Sequence, residues 1–349
     1  MKKKPSMQDI ATMLGISVNA VSLALNKRKG VSEGLRLKIF ELADSLGYLE
    51  KKPRISRLFE HYTFCIMIQE MYTHGSFHEL ILSSVSKTAG DNGYNTLLYY
   101  FNNESRDIPD CVSRHYVSGI IIIGTISNRL VEKLLPFGIH IVIIDYLPMQ
   151  YHINCVLADN RSGGFIAARH LLRAGFRKLG YFGDLFYTNS VRDRYYGFLE
   201  ALIQEGIITY GDREAYTNQY SITGNIEPLV IKSDTAAVAD ILDRRAALPE
   251  AFFCSNDMAA IVLINALRKK GIRVPADISV VGFDNNAMAE KVVPKLTTIH
   301  VNRELMGRKA VQRLIDLTEN ENRETEHTVV WVELVERDSV MNKSLGKNR

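Results

Sequence analysis

The stretch at residues 8–26, QDIATMLGISVNAVSLALN, decides how the N-terminal part of this chain folds. Small apolar residues recur at helical spacing on both sides of Gly15, which interrupts the pattern. Gly15 can adopt the positive φ that ends a helix, and Ser17 can accept hydrogen bonds from the first backbone N–H groups of the next helix. The stretch therefore predicts two short helices joined by a tight turn.

The outer face of the second predicted helix carries short polar and small apolar side chains, where a solvated helix normally carries Lys and Glu. These residues are Val18, Asn19, Ser22, Leu23 and Asn26. Side chains of this kind suit the base edges in a DNA major groove. An ordinary pair of packed helices is the alternative that the stretch alone leaves open.

Composition and charge limit the possible partners of the chain. The 349 residues are 46% hydrophobic and 23% charged, as expected for a soluble protein of two or three compact units. Residues 1–60 hold 12 Lys and Arg against 6 Asp and Glu, whereas residues 61–349 hold 31 against 33. The positive charge therefore surrounds the predicted helix pair, where it suits contacts with DNA phosphates.

The expected location is the cytoplasm, in association with the nucleoid. No apolar run approaches the roughly 18 residues of a membrane span, and the N-terminal lysines are not followed by the apolar segment of a secretory signal. The four cysteines are far apart in the sequence, which is typical of reduced residues in a protein core.

The sequence pattern divides the chain into four parts. A third helix is predicted after Ser32, so that residues 1–49 form a small helical headpiece. Residues 50–61, EKKPRISRLFEH, are charged and form the candidate hinge or linker. Over residues 62–340, apolar strands alternate with amphipathic helices in two successive halves, which predicts parallel sheets with a cleft between them. Residues 341–349 are a polar tail.

The sequence lacks the motifs of the common catalytic sites. It contains no GxSxG elbow, HExxH, P-loop or GxGxxG motif, and its nine histidines do not cluster at metal-binding spacing. A periplasmic sugar-binding protein has a similar core but begins with a signal peptide in place of a basic helix pair. We therefore predict a DNA-binding regulator that is not an enzyme and uses no metal or cofactor.

Several motifs occur in an order and spacing that resemble the Lac-repressor-like (LacI/GalR) family of bacterial transcription regulators over essentially the full length of the chain. They are DIATMLGIS, VSLALN, VSGIIIIG, DNRSGG, RYYGFLEAL, FCSNDMAA, ISVVGFDN and LVERDS. The resemblance implies an all-α helix-turn-helix headpiece and an α/β periplasmic-binding-protein-like core of two doubly wound parallel-sheet subdomains. The N-subdomain is then expected at about 62–157 and 299–326, and the C-subdomain at about 158–298 and 327–340.

The resemblance also implies a mode of action. Proteins of this family work as homodimers that place two headpieces on a pseudo-palindromic operator, and a small effector in the cleft changes the angle between the subdomains. A sugar or sugar derivative is the expected effector. A purine-like corepressor, a protein coregulator, either sign of control and a tetramer remain open alternatives.

By resemblance, Ser17 and Ala20 join the residues that face DNA. Asn19 is expected to pair with adenine and Val18 to contact thymine methyl groups, while Ser22 and Asn26 meet phosphate. Leu23 stands where many relatives carry a basic residue that reads guanine, which predicts weaker discrimination at that base pair. In the hinge, Leu58 lies one residue later than in relatives and is predicted to wedge into the central minor groove, with Phe59 as the alternative.

Four residues are predicted to contact the effector. Asp284 and Asn256 follow apolar strands, and the carboxyl ends of parallel strands face the ligand crevice in α/β proteins. A cap on the helix near Asn286 is the alternative role for Asp284, and Asp257 is predicted to cap the helix that follows it.

The other two effector contacts come from the resemblance. Arg194 matches an arginine that reaches the effector, and its planar fork can hold two hydroxyls or a carboxylate. Phe77 matches an aromatic platform that stacks on the effector, with a plain core role as its alternative. Asp145 and Tyr146 end another strand and are weaker candidates.

Overall fold

The computed structural model describes residues 6–25, 30–46, 48, 63–70, 77–102, 104, 107–319 and 324–343. The contacts divide the chain into two units, residues 1–62 and 63–349.

The first unit contains three helices, α1 (Met7–Leu14), α2 (Val18–Leu25) and α3 (Glu33–Ser45). Gly15 has φ +65° and ends α1, while Ser17 Oγ accepts a hydrogen bond from Ala20 N–H at 3.1 Å. The predicted helix-turn-helix is therefore confirmed, with the two local interactions that its sequence suggested. Its small core consists of Ile10, Ala11, Val21, Ala24, Ile39 and Ala43.

Among the described residues no single helix is long and apolar enough to cross a bilayer, although α1 and α2 pass that test when taken together as a pair bent by 113°.

The second unit alternates strands and helices. In chain order its elements are β1 (Thr63–Gln69), α4 (Phe77–Asp91), β2 (Asn95–Phe101), α5 (Asp110–Ser113), β3 (Gly119–Ile123), α6 (Asn128–Leu134) with a 3-10 turn at Leu135–Phe137, β4 (His140–Ile144), β5 (Asn154–Ala158), α7 (Asn160–Arg173), β6 (Leu179–Phe182), α8 (Asn189–Gln204), α9 (Arg213–Tyr220), α10 (Glu227–Ile231), α11 (Thr235–Asp243), β7 (Ala251–Cys254), α12 (Asp257–Lys269), β8 (Ser279–Asp284), β9 (Thr297–Val301), α13 (Arg303–Glu319), β10 (His327–Val330) and β11 (Val332–Val335).

These strands form two sheets within the described residues. The first has the order β10-β5-β4-β3-β1-β2 and all its pairs are parallel. The second has the order β11-β9-β8-β7-β6, with β6 to β9 parallel and β11 antiparallel to β9. The predicted fold class is confirmed, and the antiparallel edge strand β11 is a departure from a purely parallel pair of sheets. The central strands are buried on both faces, which explains their continuous Ile and Val runs.

Two of the approximate subdomain boundaries fall inside strands of the structure. β9 belongs entirely to the five-stranded sheet, so the chain leaves that sheet after Val301 and not at residue 298. β10 pairs with β5 and β11 pairs with β9, so the last crossing lies at Trp331 and not at residue 327. The run HTVVWVELV contains no turn residue between its two strands, and the crossing therefore leaves no mark in the sequence pattern.

Helices α7 and α8 meet at glycines. A Cβ atom added to Gly164 would lie 1.9 Å from the carbonyl oxygen of Arg194, and one added to Gly197 would lie 1.9 Å from that of Arg161. The two backbones therefore approach more closely than any side chain permits. This contact sets the position of α8, which carries Arg194.

Candidate functional site

The α2 helix exposes the residues that were predicted to face DNA. Ser17 and Asn19 are exposed, and Val18, Ala20, Ser22 and Leu23 are partly exposed, whereas the intervening Val21 and Ala24 are buried in the core of the first unit. The predicted residues Asn26 and Leu58 lie outside the part of the chain that the structure describes.

Leu23 and Arg36 make contacts at the C-terminal end of α2. A Cβ atom added to Gly30 would lie 3.4 Å from Leu23 Cδ1, so part of the Leu23 side chain packs next to Gly30. Arg36 Nη1 donates to the carbonyl oxygen of Ala24 at 3.2 Å, which satisfies one of the open carbonyls at the end of the helix.

The second unit gathers polar residues at the carboxyl ends of its strands. Asp145 follows β4, Ser255 follows β7, and Asp284 is the last residue of β8. The backbone φ angles of Asp145 and Asp284 are 64° and 108°, values that residues other than glycine rarely adopt. Strained backbone of this kind clusters at functional sites. These strand ends define what we call the cleft site.

Arg194 lies at the centre of the cleft site and is only 4% exposed. Its Nε donates to Asn160 Oδ1 at 2.8 Å and its Nη1 donates to the carbonyl oxygen of Ser255 at 2.6 Å. Its Nη2 lies 3.5 Å from Asp284 Oδ1, and its Cζ lies 3.7 Å from the centre of the Phe283 ring. The protein itself therefore occupies much of the guanidinium that was predicted to hold the effector.

Asp284 is 9% exposed, and its Oδ1 accepts no hydrogen bond from any described residue. Burial raises the pKa of Asp284 to about 6; Arg194 lowers it and Asp145 raises it further. The alternative helix-cap role is not observed, because the N–H of Asn286 donates to Asp257 Oδ2 at 2.7 Å.

Asn256 takes the cap role that the sequence predicted for Asp257. Asn256 has an extended backbone and caps α12, with its Oδ1 accepting from Ala259 N–H at 2.8 Å. Asp257 is already the first residue of the helix, and its buried carboxylate accepts from Thr298 Oγ1 and Asn286 N–H. The predicted cap role of Asp257 is therefore wrong, and Asn256 retains its amide NH₂ group for contact with a ligand.

The other side of the cleft site comes from α4 and α13. His78 Nε2 lies 3.2 Å from Asp145 Oδ2, and the second oxygen of Asp145 accepts no hydrogen bond among the described residues. Phe77 is partly buried, and the guanidinium carbon of Arg303 lies 5.7 Å from its ring centre. His78, Asp145 and Arg303 all act on the pKa of Asp284. These residues of α4, α13 and the end of β4 therefore lie close enough to Asp284 to affect its charge.

Sequence reasoning missed Glu227 most completely. It begins α10, shortly after Ile222, whose backbone pairs with Phe182 at the carboxyl end of β6, and this adds it to the cleft site. It is 7% exposed, and its Oε2 accepts no hydrogen bond from the described residues. Burial raises the pKa of Glu227 to about 7, with Asp184 and Asp284 acting in the same direction and Arg194 opposing them. Glu227 follows no long strand, so no periodicity in the sequence marks it.

The described part of the chain holds no group of three or more His, Cys, Asp or Glu side chains placed to bind a metal ion.

Two family models match the chain. Residues 6–50 match the model described as bacterial regulatory proteins, lacI family. Residues 168–340 match the model described as a periplasmic binding protein-like domain. The first match covers the helix-turn-helix, and the second covers all five strands of the five-stranded sheet together with α8, α12 and α13.

Individual proteins match over most of the chain. It is 27% identical over 352 residues to the HTH-type transcriptional repressor PurR of Vibrio cholerae serotype O1, which covers 98% of this chain and 99% of that protein. A LacI family transcriptional regulator from Enterococcus faecium with bound ribose has a TM-score of 0.67 at 23% identity, covering 80% of this chain and 99% of that one. The lac repressor dimer bound to operator and the anti-inducer ONPF has a TM-score of 0.67 at 21% identity, covering 97% and 100%. These two structures establish a shared fold.

Proposed function

Because the chain belongs to the lacI family of bacterial regulatory proteins, we propose that it is a sequence-specific transcriptional repressor controlled by a small effector in the cleft site. In this proposal α2 reads the operator, and the effector changes operator affinity. The protein acts in the cytoplasm and catalyses no reaction, in keeping with relatives that are named as transcriptional repressors.

The observation that carries the effector part is the buried pair of Arg194 and Asp284. Asp284 Oδ1 lies 3.5 Å from Arg194 Nη2 and accepts no hydrogen bond among the described residues. An unsatisfied buried carboxylate oxygen destabilises a protein, and perturbed carboxylates of this kind concentrate at functional sites. The pair therefore supports a ligand-binding cleft over a purely structural sheet edge.

The operator is read in this proposal by the exposed side chains of α2 and its cap. The residues are Ser17, Val18, Asn19, Ala20, Ser22 and Leu23, with Asn26 and the hinge residue Leu58 as further proposed contacts. We retain residues 1–49 as the headpiece and 50–61 as the hinge. The exposure of Asn19 supports its role, since an amide can make paired hydrogen bonds to adenine.

The operator proposal is tested by selecting binding sites for the full chain from a pool of randomised duplex DNA. Asn19→Ala should weaken binding to the selected site by about 10- to 100-fold, because a paired base contact contributes about 1–3 kcal/mol. Met13→Ala is the matched control, since Met13 is an exposed residue of α1. Failure to enrich any sequence, or equal affinity of Asn19→Ala and the parent, would contradict the proposal.

The proposed effector is a sugar or sugar derivative bound by Phe77, Arg194, Asn256 and Asp284. A purine-like corepressor is the second candidate. A thermal-shift screen of sugars and nucleobases distinguishes the two classes. Adding the hit to the operator-binding assay then gives the sign of control.

We propose a homodimer, consistent with the lac repressor dimer whose fold this chain shares. The edge strand β2 offers a surface for the second copy, because Leu97, Leu98 and Tyr100 on it are exposed apolar residues. Leu98→Glu should shift the protein towards monomer in analytical ultracentrifugation. Val329→Glu on the opposite edge strand β10 is the control, and a dimer unaffected by Leu98→Glu would remove β2 from the interface.

A further inference from the structure

Three carboxylate oxygens in the cleft site are buried without a hydrogen bond. They are Asp145 Oδ1, Glu227 Oε2 and Asp284 Oδ1, and none of them has a donor among the described residues. Buried polar atoms in native proteins are nearly always satisfied, by protein or by water, because an unpaired one costs about 1–3 kcal/mol and more when it is charged. Three such oxygens around one cleft indicate a ligand that donates hydrogen bonds.

The guanidinium of Arg194 does not donate a hydrogen bond to any of these three oxygens. Its Nε and Nη1 donate to Asn160 Oδ1 and to the carbonyl oxygen of Ser255, at 2.8 and 2.6 Å. Its Nη2 approaches Asp284 Oδ1 only to 3.5 Å, which exceeds the range of a good hydrogen bond. Arg194 is therefore held mainly by neutral oxygens and acts as a fixed part of the cleft wall.

The remaining charges leave an acidic excess at Glu227. Asp184 and Asp284 both disfavour the ionised form of Glu227, while Arg194 is the cation that favours it. The second guanidinium of the cleft site, Arg303, lies over Phe77 on the other side and donates to the carbonyl oxygen of Asn285 at 3.0 Å. His78 Nε2 lies 3.2 Å from Asp145 Oδ2. Arg194, the cation that favours the ionised form of Glu227, also lies 3.5 Å from Asp284 Oδ1, so the two carboxylates share this cation.

We propose that the effector carries a basic nitrogen, as an amino sugar does, and that Glu227 and Asp284 bind this nitrogen. The inference rests on the proposed role of the cleft site as the effector site. A cationic N–H donor satisfies the open oxygens and also offsets the acidic excess, whereas a hydroxyl group does only the first. A phosphate or carboxylate on the ligand adds to the negative charge, so the cleft selects against anionic sugars.

The test uses the full chain and begins from a mixture of natural small molecules. A small-molecule extract of bacterial cells is separated by ion exchange into cationic, neutral and anionic fractions, which are adjusted to equal salt. Each fraction is added in a thermal-shift assay, and the compound retained by the protein is identified by mass spectrometry. The largest shift is expected with the cationic fraction.

Variants at Glu227 link the ligand to the residue. For the isolated compound, Glu227→Gln should raise the Kd by about 10- to 100-fold, as expected for loss of a hydrogen bond between two charged groups. Glu227→Asp retains the charge and should recover part of the affinity. Glu214→Gln, an exposed residue of α9, should bind like the parent. Circular dichroism verifies that each variant is folded.

The outcomes separate this inference from the function on which it rests. A largest shift with the neutral or the anionic fraction overturns the basic nitrogen but leaves effector control in place. Equal affinity of Glu227→Gln and the parent for a cationic compound also overturns the inference. If no fraction shifts the melting temperature, effector control by a small molecule fails and the inference fails with it.

Discussion

Replacing Gly164 by alanine should displace the helix that carries Arg194. A Cβ atom at Gly164 would lie 1.9 Å from the carbonyl oxygen of Arg194, on the backbone of α8. Non-bonded carbon and oxygen atoms remain more than about 3 Å apart, so α7 and α8 must separate by about 1 Å. Overpacking of this kind costs about 1–3 kcal/mol and sometimes more, and a backbone atom cannot rotate away as a side chain can. We expect a net loss of about 2–3 kcal/mol, after allowing for the higher helix propensity of alanine.

The measurement is thermal unfolding of the purified chain, in which a loss of this size lowers the Tm by roughly 3–5 °C for a unit of this length. Gly90→Ala is the matched control, because Gly90 lies in α4 and an added Cβ atom there would meet nothing within 4 Å. That variant should be as stable as the parent or slightly more stable. If Gly164→Ala also melts within a degree of the parent, the close contact between α7 and α8 does not position Arg194, and the reasoning is refuted.

Three further predictions concern single residues. In the folded protein the pKa of Glu227 is raised from 4.5 to about 7, so the stability that its neutral form contributes is complete below about pH 4.5 and is lost as the pH rises through 7. Glu227→Gln should therefore raise the Tm at pH 8 and flatten its pH dependence between about pH 4.5 and 7, and identical pH profiles for the variant and the parent would contradict the raised pKa. Asn256→Ala should lower stability by about 1 kcal/mol through loss of the cap on α12, whereas Asn256→Ser should retain most of it, and equal denaturation midpoints for all three proteins would exclude the cap. Leu23→Arg should add a guanine preference at one operator position in a binding-site selection, and a strict guanine that already depends on Leu23 in the parent would contradict the predicted weak discrimination.

Interactions within a few residues were readable from the sequence. The turn at Gly15, the cap of Ser17 on Ala20 and the apolar spacing of α2 all depend on neighbours in the same stretch. Steric limits on φ and the 3.6-residue period act locally, so they leave a pattern in the residues themselves. The alternation of apolar strands with helices indicated parallel sheets for the same reason.

The partners of the cleft residues were decided by the tertiary structure alone. Arg194 was predicted from a motif to reach the effector, but its hydrogen bonds to Asn160 and Ser255 span 34 and 61 residues of chain. Asn256 and Asp257 are neighbours in the chain but differ in role, because Asn256 is the cap that precedes α12 and Asp257 is the first residue of that helix. Glu227 became visible only in the tertiary structure, where Asp184, Asp284 and Arg194 act on its pKa from distant parts of the sequence. The residues 8–26 thus predict their own fold and its exposed face, whereas the acidic character of the cleft arises from contacts between distant segments that no local pattern encodes.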